Sequence, residues 1–167
     1  ADGRSRAWDY DIRADGYKYN LPDLLAAIGR VQLSRAQAMR TERRKIARLY
    51  LNAIGSEDWI DPPPHAEDPG HSWHLFAPLL RLERLKLDRG AFMEAMDQAG
   101  IGTSVHYRPL HRMTFWRQTY GLTPESFPNA EAHWARSFSL PIWQGMGMRR
   151  ARRVAEVLLD IGRKSRR

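Results

Sequence analysis

A short run of prolines divides this sequence into two regions with different patterns. Asp61-Pro62-Pro63-Pro64 cannot continue a helix, because proline lacks the backbone N–H and its ring clashes with the preceding turn. Before this run, apolar residues recur near helical spacing over residues 22–54. That spacing predicts either one bent helix or two helices in series with a break within residues 33–38, ending at Gly55. After the prolines, short apolar segments alternate with helical patterns.

The region after the prolines begins with two apolar segments that flank a helix. Residues 73–82 are rich in aromatic and aliphatic side chains, and residues 101–107 form a second such segment, so both are predicted strands. Between them, Asp88 is placed to cap a helix that carries Phe92, and Gly100 is placed to end it. This part of the chain therefore predicts a strand, a helix and a second strand.

Three more helical segments follow. One is predicted near residues 114–120, one opens with Pro128 in its first turn, and the last covers about residues 148–161 with an apolar stripe along one face. Strands separated by helices, after a long helical segment, predict a small open sheet covered mainly on one face. The four residues 164–167 are expected to fray.

Composition limits the class of protein. The chain has 167 residues and no cysteine, which excludes a disulfide framework, a thiolate nucleophile and a thiolate metal site. It has no run of about 20 apolar residues for a membrane span. Residues 1–6 lack the apolar core of a secretory signal, so we expect a cytoplasmic protein.

The net charge of +8 raises the alternative of a basic nucleic-acid-binding module. Much of the excess lies in residues 40–48 and 149–167, which are predicted to be solvated helix faces or ends, and this distribution argues against nucleic acid as a partner. A domain that assembles with other proteins without chemistry is a further alternative.

Candidate site residues lie at the end of the second predicted strand and just beyond it. His106, Tyr107 and His111 come after the glycines at the start of that strand, where a scaffold can present polar groups to a ligand. No His-Glu-x-x-His pattern or cysteine ligand supports a metal site, and we assign no metal. No Gly-x-Ser-x-Gly motif supports a serine hydrolase.

Four blocks together suggest a family. They are Gly16-Tyr17-Lys18-Tyr19-Asn20-Leu21-Pro22-Asp23, the segment from Gly100 to His111, Phe127-Pro128-Asn129-Ala130-Glu131-Ala132, and Ser139-Leu140-Pro141-Ile142-Trp143. Their order and spacing resemble the C-terminal part of the DegT/StrS-group sugar aminotransferases, which are fold-type I pyridoxal phosphate enzymes. The resemblance implies an α/β (α+β) small C-terminal domain over residues 16–167, with a short, mostly antiparallel sheet covered by helices and preceded by long helices. Residues 1–15 would be a polar lead-in from an N-terminal cofactor domain that precedes this chain.

The resemblance also implies an activity. Such a parent enzyme uses pyridoxal 5'-phosphate to move an amino group from glutamate to a nucleotide-linked keto sugar, in polysaccharide biosynthesis, as a homodimer that shares the cofactor site between subunits. None of Lys18, Lys45, Lys86 and Lys164 lies in the family's lysine motif, so the Schiff-base lysine is expected upstream and the isolated chain is expected to be inactive. A sugar dehydratase of the same group remains an alternative.

Roles for individual residues come from the same resemblance. Lys18 would contact the phosphate of the partner subunit's cofactor, and Asn20 would support it or cap the following helix. His106, Tyr107 and His111 would border the nucleotide sugar. The alternatives are that Asn20 is only a cap and Lys18 a surface residue. A histidine at the strand end could also be satisfied by a backbone carbonyl, with Tyr107 packed in the core.

Overall fold

The computed structural model describes residues 15–17 and 19–167. The chain divides after Ala36 into two units, and residues 37–167 form the second, compact unit. Lys18, one of the predicted cofactor contacts, lies outside the described residues.

Helix α1 (Asp23–Ile54) is the longest element. It is continuous, so the alternative of two helices in series is wrong, while its predicted end before Gly55 is confirmed. Asp23 in its first turn complements the positive end of the helix dipole. In the first unit, its apolar side chains are exposed; they include Leu24, Leu25, Ile28, Val31 and Leu33. In the second unit, the helix buries Ile46, Ala47, Tyr50 and Ile54.

The sheet is small and antiparallel. Strand β1 (Ile60–Asp61) pairs with β2 (Leu79–Leu80) in the register Ile60 to Leu80. Isolated antiparallel bridges extend this pairing, and they join Phe76 to Leu140, Leu79 to Ser137, and Ser104 to Ser139. The prediction of a short, mostly antiparallel sheet is therefore confirmed.

The predicted strands at residues 73–82 and 101–107 are wrong in length. Only two residues of the first segment form a strand, and the second contributes one bridge. Pro78 cannot donate a ladder hydrogen bond, and Trp73 has a φ of 54°, in the left-handed region that breaks an extended chain.

Four shorter helices follow the sheet. They are α2 (Arg89–Gln98), α3 (Thr114–Tyr120), α4 (Pro128–Arg136) and α5 (Met148–Ser165). The Asp88 side chain accepts a 2.8 Å hydrogen bond from the Ala91 N–H, and Gly100 adopts a φ of +79° after α2. Both predicted boundaries of α2 are thus confirmed. None of the helices in the described ranges is both long and apolar enough to cross a bilayer.

Aromatic side chains fill the core of the second unit. The Phe92 ring lies between those of Trp59 and Phe138, with centroid distances of 5.9 and 5.6 Å. On another side, Tyr50 meets Phe76 edge to face at 5.0 Å. Burial raises the pKa of the Tyr50 hydroxyl, which donates a 2.8 Å hydrogen bond to the Pro141 carbonyl. The core therefore ties α1 and α2 to the segment after α4.

The end of the chain is held by backbone pairing. The Lys86 N–H donates to the Ser165 carbonyl at 2.7 Å, and the Arg167 N–H donates to the Arg84 carbonyl at 2.9 Å. The Arg166 guanidinium also pairs with Asp58 at 2.7 Å. The predicted fraying of residues 164–167 is therefore wrong, because their backbone groups find partners beside the turn before α2.

Candidate functional site

A small cavity lies where the isolated bridges bring three segments of the chain together. It has a volume of about 200 Å³ and is bordered by the segments around residues 74–75, 102–106 and 139–142. Its polar lining comes from His74, Ser104, His106 and Ser139. Two imidazoles and two hydroxyls in one concavity can hydrogen-bond to hydroxyl or phosphate oxygens.

His106 is oriented by a buried serine. Its Nδ1 lies 2.8 Å from the Ser139 Oγ, and the Ser139 backbone N–H donates to the Ser104 carbonyl at 2.7 Å. Ser139 is 4% exposed, so the bridge fixes the hydroxyl that holds the ring. In the described part of the chain, His106 Nε2 has no hydrogen-bond partner. Depending on the tautomer, that nitrogen can donate to or accept from a ligand.

His74 is a second imidazole in the lining, and the sequence did not single it out for this role. The structure separates it from His71, whose Nδ1 accepts a 2.9 Å hydrogen bond from the Trp73 N–H and whose ring stacks on Trp73 at 4.0 Å. His71 is thus satisfied next to a buried ring, while His74 is exposed beside the cavity. The left-handed φ of Trp73 turns the chain between His71 and His74 and so places them in different environments. No pattern in the sequence predicts this φ.

Tyr107 and His111 lie outside the lining of this cavity. Tyr107 is 75% exposed, and its ring meets His106 edge to face at 4.9 Å. His111 is 4% exposed, with Nε2 2.5 Å from the Glu131 carboxylate and its ring stacked on Phe127 at 4.6 Å. The structure therefore brings only His106 of the three into the cavity, and substrate contacts by the other two stay predictions.

Glu131 is the centre of a polar cluster beside the site. Arg112 donates to both of its carboxylate oxygens, from Nε at 2.6 Å and from Nη2 at 2.5 Å. Hydrogen bonds from Arg112 first, and from His111 second, lower the pKa of Glu131 from 4.5 to about 2. The Arg112 guanidinium also lies over the Trp134 ring, 4.4 Å from its centroid. The cluster therefore anchors the turn after His106 to α4.

The Glu131 cluster predicts an acid-sensitive fold. Because the folded-state pKa lies below 4.5, ionised Glu131 stabilises the protein above pH 4.5, and this contribution is lost as the pH falls toward 2. We expect Glu131→Gln to lower the urea midpoint at pH 7 and to flatten its fall between pH 4.5 and 2. Glu94→Gln, at an exposed carboxylate on α2, is the matched control and is expected to keep the steep fall. A Glu131→Gln curve parallel to the unaltered one at every pH would contradict this role.

None of the lysines that the structure describes lines the His106 cavity. Lys45, Lys86 and Lys164 all lie outside the His106 cavity, and Lys164 pairs with Asp160 at 2.8 Å. Asn20 is exposed in the first unit. Across residues 15–17 and 19–167, no cluster of three or more histidine or carboxylate side chains could hold a metal ion. The His106 cavity is therefore a pocket whose side chains can form hydrogen bonds with a ligand.

Comparison with known proteins identifies the family. The model of the DegT/DnrJ/EryC1/StrS aminotransferase family matches residues 2–159, nearly the whole chain. The chain belongs to this family. An uncharacterized protein of Methanocaldococcus jannaschii is 41% identical over 140 residues, which is 84% of this chain and 36% of that protein. The spore coat polysaccharide biosynthesis protein SpsC of Bacillus subtilis is 33% identical, over 93% of this chain and 40% of its own length.

A solved structure agrees with this assignment. DesV of S. venezuelae, in complex with a ketimine intermediate, superposes with a TM-score of 0.78 at 25% identity, over 94% of this chain and 41% of DesV. Membership of the DegT/DnrJ/EryC1/StrS aminotransferase family and the fold of a fold-type I aminotransferase domain are thereby confirmed. The chain spans about two fifths of the length of these relatives.

Proposed function

We propose that residues 16–167 are the C-terminal small domain of a pyridoxal phosphate-dependent sugar aminotransferase. The parent protein would transfer an amino group from glutamate to a nucleotide-linked keto sugar. The family match over residues 2–159 carries this proposal, and the oriented imidazole of His106 in a hydroxyl-lined cavity supports it. The relative named for spore coat polysaccharide biosynthesis supports a carbohydrate substrate.

In this proposal, His106 positions the sugar nucleotide. Its free Nε2 would hydrogen-bond to a sugar hydroxyl or a phosphate oxygen, while Ser139 holds Nδ1 and therefore the angle of the ring. His74, Ser104 and the exposed hydroxyl of Tyr107 would add contacts around the same ligand. His111 would contribute indirectly, because its contact with Glu131 holds the turn after Tyr107 in place.

The cofactor and the second subunit complete the proposed site. Pyridoxal phosphate, when bound, supplies an electron sink for the carbon that exchanges the amino group. Its Schiff-base lysine would come from another part of the parent protein, and Lys18 with Asn20 would reach the phosphate of the partner subunit's cofactor. The first unit exposes apolar side chains, which supports a contact surface for a homodimer. These side chains are Tyr17, Tyr19, Leu21, Leu24, Leu25, Ile28, Val31 and Leu33. We place the parent enzyme in the cytoplasm.

The proposal is tested by removing the imidazole that faces the ligand. In the parent protein, we expect His106→Ala to lower kcat/KM for a nucleotide-linked keto sugar by about 10- to 100-fold, the cost of one hydrogen bond to a charged or strongly polar group. The assay follows transfer of ¹⁵N from labelled glutamate to the sugar by mass spectrometry. His133→Ala, at an exposed histidine on α4 outside the cavity, is the matched control and is expected to change the rate less than twofold.

The possible outcomes separate the alternatives. Labelled nitrogen in the sugar, with the loss confined to His106→Ala, supports the aminotransferase. A deoxygenated sugar without nitrogen would instead indicate the dehydratase of the same group. Absence of either product, in a parent protein that binds no pyridoxal phosphate, would overturn the proposal. Equal losses in His106→Ala and His133→Ala would remove the role of His106.

A further inference from the structure

The hydroxyl group of Ser139 has one hydrogen-bond partner in the part of the chain that the structure describes, the Nδ1 atom of His106. Ser139 is 4% exposed, so solvent offers little to replace that partner. A desolvated hydroxyl that points its hydrogen away from every acceptor loses the free energy of a hydrogen bond. The hydroxyl hydrogen of Ser139 is therefore directed at Nδ1, and the serine is the donor in this contact.

This direction of the hydrogen bond fixes the tautomer of His106. A neutral imidazole carries one N–H hydrogen, and the nitrogen that accepts a hydrogen bond is the one without it. Because Nδ1 accepts from Ser139, the hydrogen of the neutral ring lies on Nε2. The ring nitrogen that is left for a ligand in the cavity is therefore a donor.

The backbone holds Ser139 in place for this role. Its N–H donates to the Ser104 carbonyl at 2.7 Å, and the Ser104 N–H donates back to the Ser139 carbonyl at 3.4 Å. The next residue, Leu140, donates its N–H to the carbonyl of Phe76 at 2.9 Å, and both of these side chains are buried. The position of the serine hydroxyl is thus set by backbone pairing in the core, which favours one arrangement of the imidazole.

Other histidines of the chain provide references for the tautomer. His71 Nδ1 accepts a 2.9 Å hydrogen bond from the Trp73 backbone N–H, which can only donate, so its neutral ring also carries the hydrogen on Nε2. His65 and His133 are exposed, and water can exchange hydrogen bonds with both of their ring nitrogens. One protein therefore contains a fixed imidazole and two solvated ones against which His106 can be compared.

We propose that Ser139 is a positioning residue that keeps His106 as a fixed hydrogen-bond donor to an acceptor oxygen of the sugar substrate. His106 then binds and orients the substrate and does not act as a general acid or base. The contact with substrate rests on the proposed function, while the tautomer of the free protein does not. An ammonium group only donates hydrogen bonds, so it cannot take the place of the acceptor oxygen at Nε2.

Nitrogen NMR of the histidine rings tests the tautomer directly. The protein is labelled with ¹⁵N at histidine and studied at about pH 8.5, where imidazoles of ordinary pKa are neutral. We expect the Nδ1 of His106 to resonate as an unprotonated nitrogen and its Nε2 as a protonated one, the pattern also expected of His71. His65 and His133 are expected to show shifts averaged over both tautomers. His106→Gln assigns the signal by removing it.

Two serine variants separate the hydroxyl from the segment that carries it. Ser139→Ala is expected to give His106 averaged nitrogen shifts, while an unchanged His71 pattern shows that the fold is kept. Ser137→Ala is the matched control, because Ser137 is buried in the same segment and, among the described residues, its hydroxyl makes no hydrogen bond to a histidine. A His106 hydrogen on Nδ1 in the unaltered protein, or a His106 signal that Ser139→Ala leaves unchanged, would overturn the role of Ser139.

The donor role is tested by kinetics of the parent protein. A glutamine side chain can donate from an amide nitrogen near the position of Nε2, but it cannot exchange a proton as an acid or base. We expect His106→Gln to keep kcat/KM within about threefold of the unaltered value, against the loss of about 10- to 100-fold expected for His106→Ala.

The kinetic outcomes keep the two proposals apart. Equal losses in His106→Gln and His106→Ala, with nitrogen still transferred to the sugar, would contradict the donor role and leave the aminotransferase assignment standing. An unaltered parent protein that transfers no nitrogen would overturn the proposed function and the substrate contact with it. The NMR pattern of His106 would still decide the tautomer in that case, because it is measured without substrate.

Discussion

Gly162→Ala is expected to destabilise the protein by about 3 kcal/mol, at the upper end of the cost of overpacking a core. A Cβ at this position would lie 2.5 Å from Cε2 of Trp59 and closer still to Cζ2 and Cη2, well inside the distance that real Cβ atoms keep. Trp59 is fully buried, and its ring packs against Phe92, so it cannot move aside without displacing other core side chains. Urea unfolding followed by circular dichroism measures the change.

A second glycine provides the matched control. Gly29 lies inside α1, and among the described residues no atom other than the adjacent backbone of its own helix lies within 4 Å of the position that an added methyl group would take, so Gly29→Ala meets no obstacle. Alanine in an unobstructed helix interior is favoured over glycine by about 0.5–1 kcal/mol. The same substitution is therefore expected to stabilise at one helical site and destabilise at the other. If the Gly162→Ala protein were as stable as the unaltered one, the Trp59 ring would have room for a methyl group at position 162, and the prediction would be wrong.

The elements that the sequence predicted well are those specified by neighbours along the chain. Helix α2 begins after Asp88, whose side chain accepts a hydrogen bond from the backbone N–H of Ala91, three residues further along the chain. It ends before Gly100, which adopts a left-handed φ. Helix α3 likewise begins and ends near its predicted residues, and α4 begins at the predicted Pro128. In each case the stabilising contact spans one turn, so the local residue types carry the information.

The elements that it predicted poorly depend on distant partners. Whether residues 73–82 extend as a strand depends on which residues pair with them, and the structure pairs Leu79 with Asp61 on one side and Ser137 on the other. The final residues were expected to fray, yet Arg167 pairs with Arg84 across most of the second unit's sequence. Neither partner can be deduced from residue type or spacing.

The candidate site, like the fold, could be predicted from the sequence only where local patterns specify it. The motif after the second predicted strand identified His106 by its position, and the block beginning at Ser139 was recognised as part of the family pattern. The 2.8 Å contact between these two side chains, 33 residues apart, arises only when the Ser104 to Ser139 bridge forms. The burial of His111 against Glu131 has the same origin, because it requires α4 to pack beside the turn at residues 110–112.

Phe92→Ala is expected to destabilise the protein by about 3–5 kcal/mol, the range for removing a buried phenyl ring. Phe92 is fully buried on α2, between Trp59 and Phe138, so its loss leaves a cavity lined by two rings that cannot both move inward. Urea unfolding at pH 7 measures the change. Phe115→Ala, on α3 where the side chain is 65% exposed, is the control and is expected to stay within about 0.5 kcal/mol.

This prediction also bears on the His106 cavity. Helix α2 packs against α5, and Gly102, four residues after the end of α2, lines the His106 cavity. Phe92 therefore holds the element from which one wall of that cavity extends. A loss below about 1 kcal/mol in Phe92→Ala would mean that the core closes around the missing ring. In that case packing of α2 would not be what fixes the wall, and the bridge between Ser104 and Ser139 would have to hold it alone.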